Sequence, residues 1–370
     1  MTRVLWLIKG LGPGGAERLL VEHARAADRS EFRYEVAYLL EAKQHLVPEL
    51  EALGVRTHGL GVRNELDPRW TARLASLLRR GAFDVVHAHA PVPASVARLE
   101  VRGFPRARRP AFVYTEHNRW PSYRFETRAA NQATFGLNDK VFAVSDDVRD
   151  SIPTRWRADV EVLVHGVDVD AVRDTRAQRD ETRRELGVQP GESLAVTVAN
   201  LRADKNYPGL IEAARLLVER DVPIRFATCG QGQLEQEVAA AHRRSGLGDR
   251  FALLGYRDDA TRLIAAADVF VLASHHEGLP VTVMEALTLG VPVVAPAVGG
   301  LPQVVHDGDN GLLVRPGSAT ALADGIARAI APEEHARLVG GAQQTGDRFS
   351  SAHATARVES AYRELAHRLR

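Results

Sequence analysis

The sequence holds one cysteine, Cys229, in 370 residues, so no intramolecular disulfide can close and no cysteine-rich zinc site can be assembled. A reducing compartment fits that scarcity. Long apolar runs are also missing. The N-terminal VLWLI stretch is shorter than the core of a signal peptide, and nothing approaches the roughly 18 apolar residues of a membrane span. The expected location is therefore cytoplasmic. Neither sign of charge dominates: 48 Lys and Arg stand against 47 Asp and Glu, far from the basic excess of a nucleic-acid binder. Within that balance, residues 1–165 carry 25 basic and 20 acidic side chains, while residues 166–370 carry 23 and 27. All four tryptophans (Trp6, Trp70, Trp120, Trp156) fall in the first part. The two parts are expected to face different partners.

What is present is an ordinary globular composition, 45% hydrophobic and 26% charged, which excludes wholesale disorder and fibrous repeats. At roughly 100 to 200 residues per domain, the length suggests two domains. Short β-branched or apolar runs alternate with amphipathic stretches, the pattern of parallel sheets covered by helices on both faces. One series of strand candidates covers 3–9, 33–40, 55–60, 84–89, 111–117, 140–145 and 160–165. A second covers 193–200, 224–230, 251–255, 269–274, 291–296 and 311–314. Helix candidates include 16–27, 69–80 and 208–220. A polar, Arg/Asp-rich passage separates the two series and includes a hinge candidate at 166–175. Val358, Tyr362, Leu365 and Leu369 repeat at helical spacing in the tail. Open parallel sheets bind ligands at the carboxyl ends of their strands, here expected to surround one cleft.

The first such loop, GLGPGG at Gly10–Gly15, formally fits G-x-G-x-x-G. Dinucleotide binding, a structural turn and a loop offering bare N–H groups to an anionic or hydroxylated ligand all stay open. The last is favoured, because Pro13 is unusual in the tight turn and no acidic residue ends the second strand at the expected distance. The densest constellation is SHHEGLPVTVMEALTLGVPVVAPAVGGLPQVV at 274–305. It puts Glu277 in a loop after a strand, Pro280 in the first turn of a helix and Glu285 further along that helix. Gly299 and Gly300 follow the next strand. Ionised carboxylates only accept hydrogen bonds, which suits vicinal hydroxyls, and a helix start offers N–H groups to phosphate or sugar oxygens. Upstream, ANLRADKNYPG sets Arg202 and Lys205 at a strand-to-helix turn, where two cations can clamp a pyrophosphate and neutralise a departing phosphate. Only four of the 48 basic residues are Lys, so Lys205 in this position is informative.

Further pieces stand in order along the chain: GPGGAER at the first loop, DVVHAH at 84–89, TEHN at 115–118, AVSDDV at 143–148, HGVD at 165–168 and GQG at 230–232. With NLRADKNYPGLI and the E-x7-E signature from Glu277 to Glu285, the chain resembles the retaining, nucleotide-sugar-dependent glycosyltransferases of family four over nearly its whole length. The resemblance implies the GT-B fold, two Rossmann-like α/β domains facing a central cleft. It implies an acceptor-binding domain at 1–170, a donor-binding domain at 171–350 and a terminal helix at 351–370 crossing back to the N-terminal domain. The implied reaction moves a sugar from a nucleoside-diphosphate sugar to a hydroxyl acceptor with retention of configuration. No metal or tightly bound cofactor is expected; the nucleotide sugar is a co-substrate, with UDP-sugars placed ahead of GDP-sugars.

By the same resemblance, Arg202 and Lys205 bind the donor diphosphate, Glu277 holds hydroxyls of the transferred sugar and Glu285 holds the ribose hydroxyls. Backbone groups of Gly278, Leu279, Pro280, Gly299, Gly300 and Leu301 contact sugar and phosphate, Pro280 itself supplying no N–H. His117 reaches the donor sugar from the first domain and joins Arg202, Lys205 and Glu277 as catalytic. Gly14 and Gly15 lie near the diphosphate, and Tyr256 with Arg257 are assigned to the base pocket. His89, Glu116 and Asn118 are assigned to the acceptor side. Two positions depart from the family pattern: His165 replaces the usual Asn before Gly-Val-Asp, and Gln303 replaces Glu after Gly-Gly-x-Pro. Neither belongs to the main donor set.

Asp168 with Asp170, and Asp307 with Asp309, spell D-x-D but are read as turn carboxylates. His87 with His89 and His275 with His276 are set aside as metal pairs, on the grounds that alternate strand residues face opposite sides and no third ligand is spaced with either pair. Ser145 is read as a helix cap. The segment 98–128 carries Arg98, Arg102, Arg106, Arg108, Arg109, Arg119, Arg124 and Arg128 among six aromatic residues. Such a surface could dock peripherally on an anionic membrane. The rival readings are a nucleotide-sugar epimerase of the same architecture and a NAD(P)-dependent oxidoreductase.

Overall fold

Thirteen runs that read as strands form strands in the computed structural model, which describes residues 1–12 and 14–368. Pro13 and Leu369, both named from the sequence, lie outside the described residues. The first seven strands are β1 (Thr2–Ile8), β2 (Phe32–Leu40), β3 (Arg56–Val62), β4 (Val85–Ala88), β5 (Ala111–Glu116), β6 (Lys140–Ala143) and β7 (Val160–Val162). They form one sheet in the order β3-β2-β1-β4-β5-β6-β7. The other six are β8 (Ser193–Val198), β9 (Ile224–Cys229), β10 (Phe251–Leu253), β11 (Val269–Val271), β12 (Val293–Pro296) and β13 (Gly311–Val314), ordered β10-β9-β8-β11-β12-β13. All pairings are parallel.

Parallel strands need helical crossovers, and the crossovers cover both faces of each sheet. The central strands are therefore apolar on both sides: Val4, Leu5, Trp6, Leu7 and Ile8 of β1 are all buried. The helix Arg69–Gly81 places Trp70, Leu74 and Leu78 on one buried face, the stripe that a 3.6-residue period produces.

The chain forms two compact units, both Rossmann-like. One is Met1–Gly166 with the tail from Ser351; the other is Val167–Ser350. The first unit closes at Gly166, where the sequence set the boundary at 170. The helix Ser351–Arg368 belongs to the first unit and buries Ala354, Val358, Ala361, Tyr362 and Leu365 there.

Strand order reverses between β1 and β4 in the first sheet and between β8 and β11 in the second. Loops leaving the carboxyl ends of these strands frame the ligand position of such a sheet. Several strands end earlier than the apolar runs suggest. The trimmed residues, among them His89, His117, Asn200 and Ser274, leave the ladder to build those loops.

The segment 98–128 is less of a surface than its composition indicates. Arg98 is fully buried, and Phe112, Tyr114 and Trp120 belong to the core. Its guanidinium stacks on Tyr114 at 4.6 Å and on Phe135 at 5.4 Å, and donates to Asn131, Thr134 and Asn138. Burial pushes its pKa down to about 10. Arg106, Arg108, Arg124 and Phe125 are exposed. No helix among the described residues is long and apolar enough to cross a membrane.

Candidate active site

In the second unit the loops after β8 and β11 meet through one ion pair. Lys205 Nζ lies 2.7 Å from Glu277 Oε2, while Ser274 Oγ donates to Glu277 Oε1 at 2.6 Å. Glu277 is 5% exposed, so both oxygens are held in a nearly dry environment by a cation and a hydroxyl. Lys205 ends a 3₁₀ turn, Ala203–Lys205, that forms before the helix Tyr207–Glu219 starts. Asn206 makes the corner between them: at φ +51° it caps the helix by accepting from Gly209 N, and its amide donates to Ala273 O at 3.1 Å. Arg202 chelates Asp204 through Nε and Nη2 at 3.1 and 3.0 Å, and Lys205 Nζ is 3.5 Å from the same carboxylate. Arg202 and Lys205 are thus brought together around Asp204. Asp204 O also accepts from His275 N at 2.8 Å, a second tie between the two loops.

Gly299 follows β12 at φ +57°, and a Cβ there would run into the carbonyl oxygen of Glu277. Only glycine lets the two segments touch. Gly300 N donates to Gly278 O at 2.8 Å and Leu301 N to Val298 O at 3.2 Å, so these two N–H groups are used within the loops. Pro280 is the cap of the helix Val281–Thr288, one position before its first turn. Leu279 is half-buried beside it. Glu285, on that helix, accepts from Thr261 Oγ1 at 3.1 Å. Arg257 is held by Asp259 at 2.7 and 2.6 Å, and Tyr256 is 49% exposed. The loops after β9 and β10 are joined by Gly230 N donating to Gly255 O at 2.8 Å.

In the first unit Gly14 precedes the helix Gly15–Ala26, and the Glu17 carboxylate fills the space that a Cβ at Gly14 would need. A carboxylate at a helix start is favourable. His89 follows β4 and His117 follows β5; His89 Nδ1 and His117 Nε2 share a hydrogen bond of 3.2 Å. His165 stacks on His117 at 6.1 Å between ring centroids. Burial and the neighbouring His165 push His117 down to about 3, and burial pushes His165 to about 4. These rings are neutral hydrogen-bonding groups at physiological pH. The expectation that His87 and His89 face opposite sides is corrected: residues two apart share a strand face, and their rings lie 4.2 Å apart. His87 also contacts Tyr362 OH at 2.5 Å and Thr115 Oγ1 at 2.7 Å.

Glu116 is fully buried. Tyr114 donates to Oε2 at 3.0 Å, while Tyr123 and the Asn118 N–H donate to Oε1. Burial outweighs these bonds and raises its pKa to about 7. Its carboxyl shapes the 117–123 loop from inside.

Ser145 caps the helix Asp146–Ser151 as read from the sequence, and Asp307 accepts from Leu313 N; Asp168, read as a turn carboxylate, instead caps the helix Val169–Asp174, which contains Asp170. Among the described residues no three His, Cys, Asp or Glu side chains gather as a metal site. Ser274, Asp204 and Thr261 were not singled out from the sequence. Ser274, three residues before Glu277, and Asp204, beside Lys205, carried a local signal in their spacing; Thr261 carried none.

The two sheets and their switch-point loops define the class as a GT-B glycosyltransferase fold. The family model for glycosyl transferases group 1 matches residues 178–344, and that for Glycosyltransferase Family 4 matches residues 13–171. The D-inositol 3-phosphate glycosyltransferase of Actinosynnema mirum is 30% identical over 333 residues, covering 81% of this chain and 78% of that protein. The N-acetyl-alpha-D-glucosaminyl L-malate synthase of Bacillus anthracis is 24% identical over 304 residues, covering 80% and 78%. The Anabaena HepE structure in complex with UDP-glucose aligns over 98% of this chain and 100% of its own, with a TM-score of 0.85 and 22% identity. The chain belongs to glycosyltransferase family 4. It is a retaining glycosyltransferase that moves a sugar from a nucleoside-diphosphate sugar to an acceptor hydroxyl, and the epimerase alternative finds no support.

Proposed function

We propose that residues 167–350 bind the donor, with the diphosphate held by Arg202 and Lys205, the transferred sugar by Glu277 and the ribose by Glu285. The observation that carries this reading is the Lys205–Glu277 ion pair at 2.7 Å, a cation of the kind that suits phosphate beside a buried carboxylate of the kind that suits hydroxyls. As the bond from the anomeric carbon to phosphate oxygen breaks, negative charge grows on the leaving diphosphate, and the two cations stabilise it there. The acceptor oxygen bonds to that carbon on the same face, and its proton passes to the departing phosphate. This scheme uses no metal.

Of the first unit, His89, Glu116 and Asn118 take the acceptor side, while His117 keeps its assignment to the donor sugar. His117 and His89, neutral and mutually bonded, supply hydrogen bonds suited to hydroxyls. Glu116 acts through Tyr123 and Asn118, keeping their loop in shape. The membrane contact expected of 98–128 narrows to Arg106, Arg108, Arg124 and Phe125, and sedimentation with anionic vesicles tests it.

A UDP-sugar is the favoured donor, as in the UDP-glucose complex of HepE. A thermal-shift panel of UDP-, GDP- and ADP-sugars tests this directly, since a bound ligand stabilises the fold by mass action. Stabilisation by a GDP-sugar and none by UDP-sugars would overturn the base assignment. Product analysis with and without an acceptor then establishes transfer.

A further inference from the structure

Asp204 occupies a position that the donor-binding reading leaves without a task. Its carboxylate is chelated by Arg202 on two oxygens and stands 3.5 Å from Lys205 Nζ, while Glu277 neutralises Lys205 from the other side. Two cations and two carboxylates thus cancel within one pocket. A diphosphate that needs both cations meets an internal anion already on them. Burial works to raise the Asp204 carboxyl, but the Arg202 hydrogen bond and the charges of Lys205 and Arg202 hold it below its ordinary value. It therefore stays ionised at neutral pH and repels an arriving phosphate.

We propose that Asp204 is an internal counter-anion that stands in for the donor phosphate and limits how tightly the nucleoside diphosphate is held. The inference rests on the assignment of Arg202 and Lys205 to the diphosphate. When donor binds, Arg202 exchanges the carboxylate of Asp204 for phosphate oxygens, and when the nucleoside diphosphate leaves, Asp204 takes the guanidinium back. The exchange loosens the product, which carries more charge on its terminal phosphate than the donor does. The guanidinium fork serves either partner, since carboxylate and phosphate both accept two parallel N–H bonds. Arg202 has the freedom to swing, its side chain being 59% exposed against 16% for Lys205. The main-chain carbonyl of Asp204, not its side chain, makes the tie to His275 N, so removing the charge leaves the loops joined.

The test is the dissociation constant of UDP, GDP and ADP, measured by calorimetry for the unaltered enzyme, Asp204→Asn and Asp204→Ala. Both neutral variants are expected to bind the preferred nucleoside diphosphate roughly tenfold more tightly, the effect of removing one like charge from a partly screened site. The gain should shrink as salt rises, and product inhibition should strengthen in parallel. Lys205→Ala is measured alongside. If Lys205→Ala weakens binding while both Asp204 variants bind no tighter and melt normally, the counter-anion role is overturned and the diphosphate site survives. If Lys205→Ala leaves binding unchanged, the diphosphate assignment falls and the inference with it. Should Asp204→Asn fail to fold, Asp204→Ala decides the matter by the same criterion.

Discussion

Lys205 Nζ and Glu277 Oε2, 72 positions apart in the chain, lie 2.7 Å from each other and join the loops that follow β8 and β11. Each residue gives the other a hydrogen-bonding partner in a site where neither is well hydrated. Removing one leaves the other short of a partner. Lys205→Ala is expected to lower kcat by roughly 10²–10³-fold, the size of effect seen when one donor to a developing anion is lost. Steady-state rates against donor concentration check this, with melting temperature as the control. Near-normal turnover would remove Lys205 from the clamp.

Gly299 stands against the Glu277 carbonyl at a φ of +57°. Gly299→Ala adds a Cβ that the carbonyl cannot accommodate and a left-handed conformation that alanine disfavours, together costing roughly 1–3 kcal/mol. Because the obstructed atom belongs to Glu277 itself, the damage should fall on chemistry more than on folding. If Glu277 holds the transferred sugar as proposed, a displacement of its loop by about 1 Å can cost roughly 10²-fold in rate. The expected result is that loss in kcat/KM with a modest drop in melting temperature. A variant that is unstable yet fully active at low temperature would contradict it.

The strands were legible because a parallel sheet covered on both faces demands continuous apolar runs, and RVLWLIK or VFVLAS can hardly be anything else. Ser145 was legible as a cap because capping is decided within three residues. Arg98 was not: in an Arg-rich run it resembles its exposed neighbours, and only the fold encloses it between Tyr114 and Phe135. Tyr362 was visible as part of a buried helical face, yet its partner His87 lies 275 positions away. Periodicity reports that a face is covered and is silent on what covers it. The pairing of Asp204 with Arg202 depends on the turn between them, which residue types alone do not specify.

Tyr362 ties the helix Ser351–Arg368 to the first sheet. Its hydroxyl meets His87 Nδ1 at 2.5 Å and lies 3.4 Å from Trp6 Nε1, with all three residues buried. Tyr362→Phe keeps the ring and removes only that oxygen, leaving two buried ring nitrogens without a partner. The expected cost is about 1–3 kcal/mol. Urea unfolding followed by tryptophan fluorescence measures it, and an unchanged midpoint would show that the hydroxyl contributes nothing to holding the helix.

Acid sensitivity follows from the histidines of the same unit. Burial holds His23 and His117 at about 3 and His165 at about 4, and keeps His87 and His89 well below the ordinary value of 6.5. These groups are neutral in the fold, whereas the unfolded chain takes up their protons near 6.5. Their contribution to stability is therefore complete above that pH and is lost as pH falls toward 3–4. Glu100 and Glu116, raised to about 7 by burial, and Glu359, raised by burial, act in the opposite sense. They keep protons that the unfolded chain releases near 4.5, so their contribution is complete below that pH and fades as pH rises. Between 4.5 and 6.5 five histidines outweigh three carboxyls. The stability measured by urea unfolding should accordingly drop as pH is lowered from 6.5 to 4.5, with net proton uptake on unfolding. His165→Asn, which restores the residue type usual before Gly-Val-Asp, should reduce that uptake by most of one proton at about pH 5, and by less at the lower end of the range, where the folded imidazole, at about 4, begins to take up its own proton. Stability that is flat or increases on acidification would mean that these imidazoles reach solvent and titrate normally in the folded enzyme.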